Sequence, residues 1–187
     1  LGESPGAVAD NFPALEKEFE QLRTGGQTLK ARDVLKLFDP NRTPFARYWP
    51  KPDAKELDRA LRQEPLYLAP IPDDGRALLE RLLGFMHSMG VVSLVLRCVH
   101  PARFGIFSTP DVNLLQISRP NTLDLYLAFC EELRAWQKQF SMSSVAETEM
   151  ALWAYDQLAT GRGRLGEDHE ARRFFEHDVW IQRRRVA

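Results

Sequence analysis

Apolar residues recur along this chain at three- and four-residue spacing, punctuated by proline and glycine, and that rhythm predicts helices. Asn11 with Pro13 opens the first helix; Phe12, Leu15, Phe19 and Leu22 share a face, and Gly25-Gly26 stops it. Thr28 is the expected cap of a second helix, "LKARDVLKLF", which ends before Asp39-Pro40. Asp53 is placed to cap "AKELDRALRQ", in which Leu57 and Leu61 lie one turn apart. From Asp73 or Asp74 the pattern resumes, and Leu78, Leu79, Leu82, Leu83, Phe85 and Met86 are apolar on most faces. That distribution predicts a central, buried helix. Gly90 separates it from "VVSLVLRCV". The β-branched residues of this run would also suit a strand, but helical neighbours and the lack of a partner strand favour helix.

The second half repeats the same grammar. Thr109-Pro110 reads as cap and first-turn proline for "DVNLLQI", and Asn121 or Thr122 begins "LDLYLAFCEELRAWQKQF". Ser144 with Glu147 forms a capping box ahead of "VAETEMALWAYDQLAT", which Gly161 closes. A last helix over residues 167–184 carries Phe174, Phe175, Trp180 and Ile181. Residues 39–53, with prolines at 40, 44, 50 and 52, and residues 161–167 are the irregular connections. "EPLYLAPIPDDG" reads as extended. The expectation is an all-α fold of about eight helices, residues 1–187 forming one domain behind a mobile N-terminus at 1–10.

Composition narrows the function classes. With 44% hydrophobic and 27% charged residues the chain can bury a sizeable core, and its net charge of −1 supplies no global field for nucleic acid or anionic membrane. Cys98 and Cys130 stand in apolar helical runs and read as buried, reduced thiols. No apolar run approaches the roughly 18–20 residues that span a bilayer. The start "LGESPGAVADNF" lacks the basic and apolar regions of a signal peptide, so a cytoplasmic location is expected. His87, His100, His169 and His177 show no metal-binding spacing, and no phosphate-cradling or nucleophile-elbow motif occurs. Neither metal nor cofactor is expected.

Three constellations remain. "LRCVHPARFGIFSTPDVNLL" resembles a segment of helix-hairpin-helix DNA glycosylases and related helical repair and defence domains, over about a tenth of the chain. His100-Pro101 would match the family's asparagine-proline, Phe104 its aromatic, and Ile106-Phe107 its apolar pair. The resemblance implies a helical topology. The family's catalytic aspartate would fall at Ser108, which cannot supply a carboxylate, and Asp111 three residues on is the substitute candidate. A structural role accounts for the same residues: Pro101 ends a helix, Gly105 permits an unusual backbone angle, and Asp111 suits a first helical turn. Arg172 to His177, "RRFFEH", resembles the Arg-x(4–6)-His pattern of HEPN-type ribonucleases, where arginine would bind phosphate and histidine would move a proton. A helix that buries its phenylalanines while Arg172 and His177 face solvent is the favoured explanation of the same residues.

The third is the loop "NRTPFARYWPKP", which interleaves Arg42, Arg47 and Lys51 with Phe45, Tyr48 and Trp49, as a single-stranded nucleic acid or peptide groove would require. The remaining aromatics, Tyr126, Phe129, Trp136, Trp153 and Tyr155, read as core, and Glu131-Glu132 and "ETE" as solvated helix faces. The leading expectation is an intracellular, non-catalytic binding module of bacterial type, engaging nucleic acid or a protein partner. Its surface would comprise Arg42, Arg47, Tyr48, Trp49 and Lys51 together with His100 and Arg103. A nucleic-acid-cleaving enzyme, built on Asp111 or on Arg172 and His177, is the alternative. A structural interaction domain cut from a longer protein is the third reading.

Overall fold

The computed structural model describes residues 12–26, 28–40, 42, 51–63 and 75–160. The fold is all-α, with eight α-helices and no strand among the described residues. They are α1 (Phe12–Thr24), α2 (Ala31–Leu35, continued by a 3-10 turn at Lys36–Phe38), α3 (Ala54–Gln63) and α4 (Arg76–Met86). Then come α5 (Met89–Val99), α6 (Thr109–Leu114), α7 (Thr122–Gln139) and α8 (Val145–Thr160). The chain divides into two compact units, Leu1–His100 and Pro101–Ala187.

In the first unit α1 ends as the glycines dictate, with Gly26 in the left-handed region at φ 64°. The cap of α2 is displaced from Thr28. Asp33 accepts a hydrogen bond from the Lys30 backbone N–H at 3.2 Å, so the helix starts at Ala31. Asp53 caps α3 as expected, one carboxylate oxygen accepting from both the Lys55 and Glu56 amides at 2.9 Å. Leu57 and Leu61 are buried beneath it.

The burial of α4 and α5 reverses the expectation. Only Leu79 and Leu82 of α4 are buried; Leu78, Leu83 and Met86 are half-buried, and Phe85 is 36% exposed. The wholly buried helix is α5, in which every residue but Gly90 is buried. Gly90 is not the divider: α4 ends at His87, in the left-handed region at φ 53°, and Ser88 caps α5 by accepting from the Val91 N–H at 3.4 Å. Its four valines have modest helix propensity, and burial on all sides overrides it. Within this unit α5 packs on α1 and α4, α2 on α3, and α3 on α4.

In the second unit α8 packs against α7 and α6. Asn121 caps α7, its side chain accepting from the Asp124 amide at 2.9 Å. Ser144 accepts from the Glu147 amide at 3.0 Å to cap α8, and the Glu147 carboxylate reaches back to the amide and hydroxyl of Ser143, both at 2.6 Å. The inner face of α7 consists of Tyr126, Phe129, Cys130 and Leu133, all fully buried. No described helix is long and apolar enough to cross a membrane.

Candidate functional site

The segment from Pro101 to Ser108 is irregular backbone, buried at Phe104, Gly105 and Ile106, so its enclosed polar groups need partners. The His100 N–H closes α5 on the Leu96 carbonyl at 2.6 Å. Beyond it, three alternate carbonyls are taken by the second unit's own helices. That of Pro101 accepts from the Ala146 amide at 2.9 Å, that of Arg103 from Arg134 Nη1 at 3.2 Å, and that of Gly105 from the Tyr126 hydroxyl at 2.9 Å. Between these anchors Phe104 and Ile106 are buried, and Phe107 meets Tyr126 and Phe129 edge-on at 5.7 and 6.3 Å.

Gly105 has an ordinary backbone angle, contrary to the sequence reading; its φ is not in the left-handed region. Glycine is needed for proximity instead. A Cβ there would lie 2.6 Å from Leu133 Cδ1 and 3.0 Å from Cβ and Cγ of Glu149. The segment therefore lies directly on α7 and α8.

Asp111 is fully buried at the start of α6. Its amide donates to Ser108 Oγ at 3.2 Å, and the Ser108 hydroxyl donates to its carboxylate. Ser108, not Thr109, is the cap; Thr109 and Pro110 form the first turn. The carboxylate is thus held by its own helix start, whereas a glycosylase-like role requires it to line an open groove. His100 is buried, and the Arg103 guanidinium lies 5.8 Å from the centre of the Phe104 ring.

Of the arginine-aromatic loop, Arg42 and Lys51 are described; Arg47, Tyr48 and Trp49 lie outside the described residues. Lys51 is exposed. Arg42 is drawn to α1: its Nη1 is 2.9 Å from one carboxylate oxygen of Glu18, whose other oxygen takes Lys36 Nζ at 2.8 Å. Asp39 stands 4.0 Å from Arg42, and Asp33 3.7 Å from Lys36. The Lys36 hydrogen bond, aided by Arg42, holds Glu18 below the usual carboxylate range against the opposing effect of partial burial. Each exposed pair is worth about 0–1 kcal/mol. With Arg32 3.8 Å from Asp33, the cluster sets three carboxylates against three cations and so offers no surplus positive charge to a phosphate. Arg172, His177 and the segment 161–187 lie outside the described residues.

Two buried polar groups, Arg97 and Glu149, and the half-buried Arg23 were not expected to matter. Arg97, at 2% exposure, pairs with Glu16, whose side chain is 38% exposed, and so ties α5 to α1. Arg23 Nη1 donates to the Cys98 carbonyl at 2.7 Å, satisfying the last turn of α5. A lone cation within an apolar run was the available signal, since a buried guanidinium requires a partner. Glu149, read as part of a solvated face, is only 1% exposed and lies against Gly105. The available signal was helical spacing: Glu149 falls four residues after Val145 and three before Leu152, on the buried face, while Glu147 is the capping-box residue.

Both thiols are chemically quiet. Burial pushes Cys98 up to about 12 and Cys130 up to about 11, and it drives Tyr126 well above its ordinary value. None is a nucleophile near neutral pH. Among the described residues no group of histidine, cysteine and carboxylate side chains could hold a metal ion. No family model, curated protein or solved structure matches this chain.

Proposed function

We propose that this chain is a non-catalytic helical binding module that engages a protein partner. The observation that carries the reading is that, among the described residues, Asp111, Cys98, Cys130 and Arg42 are engaged within the fold while a large apolar ring stays at the surface. Asp111 serves a helix cap, the two thiols stay protonated, and Arg42 is drawn into the Glu18 cluster. Phe85 meanwhile stands 36% exposed on α4. At 100° per residue, Leu78, Arg81 and Phe85 fall along one edge of that helix, Leu78 half-buried and the other two exposed. An exposed phenylalanine beside arginine has the composition enriched in protein-binding interfaces. Lys51 and the adjoining loop residues Arg47, Tyr48 and Trp49 extend the candidate surface along the sequence.

Two measurements test the reading. Affinity purification followed by light scattering is expected to yield a stoichiometric protein complex that survives nuclease treatment, is lost with Phe85→Asp and is retained with Glu80→Gln. Fluorescence anisotropy with labelled oligo(dT) and oligo(U) is expected to give no saturable binding. Saturable binding that weakens with salt and is lost with Arg47→Ala or Trp49→Ala would replace the protein partner by nucleic acid. Cleavage of either probe, abolished by Arg172→Ala, His177→Ala or Asp111→Asn, would overturn the non-catalytic reading altogether.

A further inference from the structure

We draw no further inference here: the strongest candidate, the half-exposed edge of α4 that carries Leu78, Arg81 and Phe85, belongs to the surface already described, and nothing in the structure shows what covers it.

Discussion

Replacing Gly105 with alanine isolates the close approach of the 101–108 segment to α7 and α8. The new methyl would sit 2.6 Å from Leu133 Cδ1, against an ordinary carbon–carbon contact of about 3.5–4.0 Å. That end of Leu133 can rotate. Glu149 Cγ, at 3.0 Å, can shift by rotation about χ1, but Cβ, also at 3.0 Å, is fixed to the α8 backbone and cannot move without it. Overpacking of this kind costs about 1–3 kcal/mol. Since φ at Gly105 lies outside the left-handed region, alanine brings no backbone strain and restricts the unfolded chain, which offsets about 0.4–1 kcal/mol. The expected net loss is about 0–2.6 kcal/mol.

A double-mutant cycle separates packing from other causes. Leu133 is fully buried, so Leu133→Ala alone is expected to cost about 2–5 kcal/mol. With both changes present, the added methyl occupies space that Leu133 has vacated, and the sum should exceed the measured loss by about 0.5 kcal/mol or more. Urea unfolding followed by tryptophan fluorescence and far-UV circular dichroism supplies the four free energies where the two transitions coincide. Strict additivity, or a Gly105→Ala variant more stable than the parent, would refute the close-packing account of this glycine.

Other perturbations have defined outcomes. Glu16→Gln, which takes the carboxylate from a guanidinium 2% exposed, should cost about 1–3 kcal/mol. Arg97→Met should cost less, because water can solvate the Glu16 left behind; the reverse ranking in urea melts would contradict this. The folded-state values of Cys98 and Cys130, about 12 and about 11, lie above the ordinary 9.0. Their contribution to stability is therefore complete below about pH 9 and is lost as pH rises toward those values. Stability should be level from neutral pH to that point and then fall; a thiol reagent should label neither cysteine in the native protein at pH 8 and both in urea. His87, Gln116 and Ser141 adopt φ of 53°, 55° and 54° just past the ends of α4, α6 and α7. The left-handed backbone costs a residue with a Cβ roughly 1–2 kcal/mol, so each change to glycine should stabilise by about 0.5–1 kcal/mol. Thermal melts should rise by a few degrees for each, and a fall at all three would count against strained helix ends.

Helix starts were the most legible feature of the sequence, because a cap is a contact within three residues. Asp53, Asn121 and Ser144 act where their positions say they should. Thr28 and Thr109 failed for an equally local reason: a competing acceptor stood nearby, Asp33 in one case and Ser108 in the other. Burial was less legible. The leucine-rich α4 and the valine-rich α5 look alike in apolar content, and only tertiary packing decides that α5 is enclosed while α4 keeps an open edge. The contact of Gly105 with Glu149 was beyond reach, since 44 positions separate them. The candidate surface was partly legible: Arg42 was found, but the Glu18 carboxylate that engages it lies 24 residues upstream.

The enclosed α5 also bears on how the chain behaves before it folds. "VVSLVLRCV" is short, β-branched, free of proline and nearly uncharged, the composition that stacks into intermolecular strands when exposed. In the native helix its backbone is closed to such pairing. In a nascent or heat-unfolded chain it is open, and Arg97 is its single charge. A charge set within such a run acts as a gatekeeper against aggregation. The arginine that anchors α5 to α1 in the folded protein thus also protects the unfolded chain from its own most adhesive segment.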